Sequence, residues 1–279
     1  MLIHNLISDA SKILKKNKIK SHLLDAEIIL ADLMNISREH LITSHYLPVS
    51  NKIKKKFNYA IKRRYRREPV AYITKKKEFW SLDFIINKFT LVPRPETELL
   101  VNEITKLLKN KRIDILDIGT GSGCILLSLL KELQFAKGIG LDVSTKAINV
   151  AKKNAKKFRL SNRTRFIVDS IDNFKLGKYD LIVSNPPYIP FNEISKLDEE
   201  ITNFEPLCAL NGGIDGLDLI RKVIYKSNIL LKTNGYLAVE IGNNQYTEVA
   251  KILRDSCYRE ISKVCDFERN VRCIISTKI

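Results

Sequence analysis

Up to about residue 68 the apolar positions fall at helical spacing. Leu2, Leu6, Ile13 and Leu14 mark one stripe, and Leu24, Ile28, Ile29 and Leu33 mark another. Asp25 and Glu27 sit early in the second helix, where the positive end of the helix dipole favours acids. A third helix is predicted from about Ser50 through KIKKKFNYAIKRRYRR. It must stop before Pro69, because the residue ahead of a proline avoids the α region. Residues 78–87, EFWSLDFIIN, alternate and are rich in aromatics, which reads as a short hairpin. In LVPRPETELLVNEITKLL, two prolines bracket Arg94, and Glu96, Thr97 and Glu98 open a helix.

From Ile113 the pattern changes to short apolar runs separated by amphipathic stretches. The runs are 113–118, 137–142, 165–169, 179–185, 235–241 and 272–277; helices are predicted near 122–133, 144–158, 215–232 and 244–256. Strand alternating with helix implies a mainly parallel sheet covered on both faces. Ligands of such sheets bind beyond the carboxyl ends of the strands, at the point where strand order reverses.

Composition narrows the class. A chain of 279 residues, 44% hydrophobic and 28% charged, makes one large or two modest domains and is not low-complexity or disordered. The longest uncharged stretch, 118–130, contains three glycines and is too short to span a bilayer. The N-terminus reads as an amphipathic helix rather than a secretory signal. Five cysteines with no CxxC pattern argue against a disulfide framework or zinc site and for a reducing compartment; no metal is expected. The four histidines lie before residue 46, away from the strand ends, so none is a candidate base. The net charge of +17 is concentrated at the front: residues 1–90 carry 19 basic and 8 acidic side chains, giving +11. Such an excess raises encounter rates with polyanions, and it serves solubility equally well.

The strand ends carry the candidate chemistry. The run ending at Ile118 opens into Gly119, Thr120, Gly121, Ser122 and Gly123, a turn that lets backbone approach a ligand closely. The next run ends in Asp142, placed to accept protons from ribose hydroxyls. The glycine spacing is GxGxG rather than GxGxxG, which favours a nucleoside without a diphosphate, such as S-adenosylmethionine. The third run ends in Asp169 and Ser170, placed to meet an adenine. The fourth ends in Asn185, Pro186, Pro187 and Tyr188. An amide or exocyclic amino group has a delocalised lone pair and two protons that need acceptors in a dry site. The Asn185 side-chain carbonyl and the Pro186 backbone carbonyl are such acceptors, and Tyr188 offers a flat face for stacking.

NPPY after a buried strand resembles the active-site motif of amino-group methyltransferases. The stretches REPVAYITKKKEFWSLDF, LVPRPETELLV, DIGTGSG, LDVS, DLIVSNPPYI, FEP, NGGIDGLDLIRK and AVEIG resemble the peptide chain release factor glutamine methyltransferases, the HemK or PrmC family. The likeness is dense from 67 to about 245. It departs at CDFERNVR (265–272), which lacks a glycine, and at Ser170, where the family often has a bulkier residue. The resemblance implies a class I, Rossmann-like methyltransferase with a mainly parallel seven-stranded sheet and a small N-terminal all-α domain. Its divisions would be a helical substrate-docking domain at 1–68, a linker with a hairpin at 69–92, and the catalytic domain at 93–279. It implies S-adenosylmethionine as cofactor, held by residues 119–123, Asp142, Asp169, Ser170 and Asn185. It implies that Asn185 and Pro186, with Pro187, grip the glutamine of the GGQ loop while Tyr188 stacks on it. The expected partner is a release factor, the expected setting a cytoplasmic monomer without a membrane or direct nucleic-acid substrate. Two other readings stay open at this point: an N6-adenine methyltransferase of DNA or RNA, and a basic RNA-binding protein that has lost its chemistry. Arg94, Glu96 and Glu98 border the site or serve the helix and its surroundings, and no catalytic role is assigned to them.

Overall fold

A computed structural model describes all 279 residues, in two compact units. One comprises Met1–Lys76 together with Asp198–Phe204, the other Lys77–Leu197 and Glu205–Ile279.

The first unit is helical: α1 (Ile3–Lys16), α2 (His22–Met34), α3 (Arg38–Thr43), α4 (Asn51–Tyr65) and α5 (Val70–Thr74). Leu6, Ala10 and Leu14 of α1 pack with Ala26, Ile29 and Leu30 of α2 and with Phe57, Ala60 and Ile61 of α4. The stripes read from sequence are each rotated. Ile13 and Leu24 face solvent, and Asp25 is buried instead. In α2 the buried acid answers an ion pair: the buried Arg64 guanidinium lies 2.6 Å from Asp25 and 2.6 Å from Glu200. Buried charges of both signs persist when they are paired, so α2 turns its acidic face inward. Glu200 sits on the four-residue turn α9 (Glu199–Thr202), and this contact ties 198–204 to the helical unit. The Ser50 hydroxyl caps α4 by accepting the Ile53 N–H.

The second unit begins with a hairpin, β1 (Lys76–Phe79) and β2 (Leu82–Ile85). Its two-residue turn, Trp80 and Ser81, is left-handed at both positions, with φ of 53° and 55°. That geometry normally selects Asn-Gly. Here side chains hold it: the Trp80 N–H donates to Glu98, and its indole N–H donates to Glu132. Next come α6 (Thr97–Leu108), β3 (Asp114–Ile118), α7 (Cys124–Glu132), β4 (Lys137–Asp142), α8 (Thr145–Lys157), β5 (Thr164–Val168) and β6 (Tyr179–Ser184). After α9 follow α10 (Asp218–Leu230), β7 (Leu231–Glu240), α11 (Tyr246–Asp255), β8 (Tyr258–Cys265) and β9 (Val271–Lys278).

Seven of these strands form one sheet in the order β5-β4-β3-β6-β7-β9-β8. The first five are parallel, and β9 runs antiparallel between β7 and β8. The chain goes outward from β3 through β4 to β5, then crosses to β6 on the other side of β3. The carboxyl ends of β3 and β6 therefore flank the reversal of strand order, the usual ligand crevice of an open α/β sheet. The Ser184 hydroxyl, donating to the Ile118 carbonyl at 2.8 Å, fixes these two ends together.

Buried Asn154 of α8 locks the hairpin to the glycine turn. Its side chain accepts the Ile85 N–H and donates to the Ile85 and Ser122 carbonyls.

Candidate active site

The turn after β3 is held by backbone. The Gly119 and Thr120 N–H groups both donate to the Leu141 carbonyl at the end of β4. Gly119, Gly121 and Gly123 have φ of 74°, 55° and 81°, which side-chain-bearing residues rarely adopt. A Cβ on Gly119 would meet nothing within 4 Å, so open space begins directly at its backbone.

Asp142 braces the same turn. One carboxylate oxygen accepts the Gly121 N–H at 2.9 Å, the other the Ser144 N–H at 2.8 Å. Burial raises its pKa, and these two N–H groups oppose the rise. Each oxygen keeps a further lone pair for a ligand hydroxyl.

Gly119, Gly121, Asp142, Asp169, Ser170, Asn185 and Pro187 line one cleft of about 220 Å³. The β3 and β6 ends thus contribute to a single cavity. Thr120 and Ser122 are turned into the protein instead. The Thr120 hydroxyl donates to Asp117 at 2.6 Å, and the Ser122 carbonyl is held by Asn154. Asp117 lies beneath the turn and does not line the cleft. It is 1% exposed, its Oδ1 has no partner, and burial pushes its pKa up to about 7. Phe89, Thr90 and Leu91 also line the cleft from the loop after the hairpin, with Pro206, Cys208 and Ala209 from the FEP region. No periodicity marks these residues; only the FEP stretch carried a signal.

Asn185 donates from Nδ2 to the Thr97 hydroxyl at 3.2 Å. Its Oδ1 and the Pro186 carbonyl take no hydrogen bond from the chain. Pro186 itself is buried, and the Tyr188 carbonyl is pinned by the Gln245 amide at 2.9 Å. Tyr188 is not among the cleft-lining residues. Its ring packs on the core and its hydroxyl points to buried Glu240, 3.4 Å away. Burial pushes the Glu240 carboxyl up to about 7, opposed first by the Thr97 hydroxyl and then by that of Tyr188.

Arg94 pairs with buried Glu205 at 2.7 Å, and Glu205 also accepts the Val92 N–H. Glu98 serves the hairpin turn, and Glu96 is exposed. None of the three lines the cleft. A larger groove, about 760 Å³, lies on the helical unit between α1 and α4, remote in sequence from every strand end.

The residues present suit S-adenosylmethionine: open space over a glycine turn, and beside it a carboxylate, Asp142, braced by two backbone N–H groups with lone pairs left for ligand hydroxyls.

Residues 5–74 match the family described as PrmC N-terminal domain, and residues 109–276 the family described as methyltransferase domain. The chain is 37% identical over 257 residues to the release factor glutamine methyltransferase of Caulobacter vibrioides, covering 91% of this chain and 89% of that one. It is 35% identical over 288 residues to that of Clostridium acetobutylicum, covering 100% and 99%. Among solved structures, a methyltransferase from Pyrococcus furiosus has a TM-score of 0.54 at 16% identity, covering 82% of this chain and 99% of that one. The hMettl16 catalytic domain in complex with a 3′UTR hairpin has a TM-score of 0.59 at 16% identity, covering 82% and 83%. The structural likenesses establish the fold, and the sequence identities establish the kinship. The chain is an S-adenosylmethionine-dependent methyltransferase and belongs to the release factor glutamine methyltransferase family.

Proposed function

We propose that this enzyme methylates the side-chain amide nitrogen, N5, of the glutamine in the GGQ motif of class 1 peptide chain release factors. The observation that carries the reading is Asn185: it lines the same cleft as the glycine turn, with its amide oxygen free of any partner in the chain. A glutamine amide is a weak nucleophile because its lone pair is shared with the carbonyl. Asn185 Oδ1 and the Pro186 carbonyl accept its two protons, oppose the conjugated form and stabilise positive charge developing on nitrogen. The Pro186-Pro187 pair limits loop motion, so alignment is set before the substrate arrives. The glycine turn, Asp142, Asp169 and Ser170 hold the cofactor, which supplies an electrophilic methyl group. Asp117 and Thr120 support that turn from beneath. Tyr188, whose ring packs on the core beside Glu240 rather than lining the cleft, supports the loop instead of stacking on the substrate in this conformation.

The helical unit, with 198–204, docks the release factor. Its charge is more engaged than the sequence suggests. Arg63, Arg64 and Arg67 are spent on Glu68, on Asp25 with Glu200, and on Glu199. Exposed Lys52, Lys55, Lys56 and Lys62 remain for steering an acidic partner. The reading places the enzyme in the cytoplasm as a monomer acting on protein; no helix is long and apolar enough to cross a membrane.

The test is transfer of label from S-adenosylmethionine to a recombinant release factor, with mass spectrometry locating one added CH2 on the GGQ peptide. Label entering DNA or RNA, with none on the release factor, overturns the proposal in favour of adenine methylation.

A further inference from the structure

The cleft has one aromatic ring among its lining residues, Phe89. Its carrier, the stretch after the hairpin, is held on both sides. Upstream, Asn154 grips both backbone groups of Ile85 and, with the same side chain, the Ser122 carbonyl of the glycine turn. Within the stretch, Asn87 Oδ1 accepts the Phe89 N–H at 3.0 Å, and the Asn87 carbonyl accepts both the N–H and the hydroxyl of buried Thr90. Downstream, the Val92 N–H donates to Glu205. One framework therefore places both the ring and the glycine turn.

The ring stands on the Asp142 side of the cleft. Lys146, in the first turn of α8, holds its ammonium 4.4 Å from the Phe89 ring centroid, and Lys88 holds its own at 5.4 Å. The Ser144 hydroxyl caps α8 by accepting the Ala147 N–H, and the Ser144 N–H is itself held by Asp142. The Asp169 N–H donates to the Asp142 carbonyl at 3.1 Å, which brings Ser170 to the same end. A ribose on Asp142 thus hands its base to a region bordered by Phe89, Val143, Ser170 and Ile171. Ser170 has little left for hydrogen bonds with that base. Its N–H is taken by Asp169 Oδ1 at 2.8 Å, and its hydroxyl accepts the Asp172 N–H and donates toward the Asp172 carboxylate. Serine also brings none of the bulk that the family often has there. Grip on the base then falls to apolar area and a flat π face, which an aromatic side chain supplies.

We propose that Phe89 is the wall against which the adenine of S-adenosylmethionine packs, supplying the flat apolar surface that Ser170 does not. Lys88 and Lys146 are exposed and sit on flexible stems, so a base displaces them from a ring that itself stays fixed. The role concerns the cofactor alone and goes beyond the function proposed above: it holds whichever nitrogen is methylated.

The test needs no turnover. Calorimetry compares S-adenosylhomocysteine with S-ribosylhomocysteine, the same molecule with its adenine replaced by a hydroxyl. Phe89→Leu keeps an apolar side chain and removes the ring; Phe89→Tyr keeps the ring. Kd of S-adenosylhomocysteine should rise about fivefold or more in Phe89→Leu, the lower end of base–aromatic stacking, and stay within about twofold in Phe89→Tyr. Kd of S-ribosylhomocysteine should change less than about twofold in both variants. In the saturated complexes, the NMR positions of the adenine ring protons should differ between wild type and Phe89→Leu, because the ring current is lost. A Kd for S-adenosylhomocysteine unchanged in Phe89→Leu, or raised equally for both ligands, overturns the proposal, and so do adenine protons that do not move. A wild-type enzyme inactive on release factor, with ligand affinities responding as stated, refutes the substrate and leaves Phe89 in its place against the base.

Discussion

Replacing Glu240 by Gln should stabilise the catalytic unit, and by an amount that grows with pH. The carboxyl's usual pKa of 4.5 is pushed up to about 7 by burial. Between those values the folded chain holds a proton that the unfolded chain has released, so stability falls as pH rises through the window and is constant above it. A difference of roughly 2.5 pH units at about 1.4 kcal/mol each amounts to about 3 kcal/mol, lost in full by pH 8. Gln is neutral throughout and carries no such loss. The stability advantage of the variant should therefore grow by about 2 kcal/mol between pH 5.5 and 8.5. Asp117, also pushed up to about 7, is present in both proteins and cancels in the difference. Trp80 is the only tryptophan and sits in the hairpin of the catalytic unit, so its fluorescence in urea follows that unit alone. A constant offset between the two proteins would reflect changed packing and hydrogen bonding. The reasoning is refuted if the difference is flat with pH or shrinks as pH rises.

Asn185→Ala should lower kcat by about tenfold or more while calorimetry shows cofactor affinity within a few-fold of wild type, because the lost acceptor acts on the substrate nitrogen. Asp142→Ala should act the other way: it removes the ribose acceptor and frees the Gly121 and Ser144 N–H groups, so cofactor Kd should rise about tenfold or more, read by the same titration. Asn154→Leu leaves three backbone groups unpartnered in the interior and should cost about 3 kcal/mol or more, visible as a lowered urea midpoint. Raising sodium chloride should depress kcat/KM for release factor through the helical unit's lysines; a value indifferent to salt removes the steering role.

That Gly119, Gly121 and Asp142 would border one cleft was readable because the determinants are local. Gly119, Gly121 and Gly123 announce positive φ at alternate positions of one turn, and Asp142 ends a strand that is recognisable by itself. NPPY was readable for the same reason: its groups are consecutive. What escaped depends on partners distant in sequence. Thr97 looks like a helix-opening residue until Asn185, 88 positions away, is seen against it. Arg64 looks like one more cation in a basic run until Asp25 and Glu200 close on it, and that pair rotates the α2 stripe. The strand β8 was missed because it is the sheet's edge, with most of one face wet, so its sequence reads polar. Trp80-Ser81 contradicts ordinary turn preference and is rescued only by Glu98 and Glu132.

The attachment of 198–204 to Arg64 bears on how this chain can be cut or recombined. The sequence reading suggests a clean cut after residue 68 or within the 69–92 linker, and the upstream unit itself reaches Lys76. Such a cut would leave the downstream fragment with a short stretch stripped of its cationic anchor, and the upstream fragment with a guanidinium missing one of its two carboxylates. Grafting the first 76 residues from a relative would sever the same tie unless the stretch around Glu200 travelled with them. For this chain, the heritable module is discontinuous.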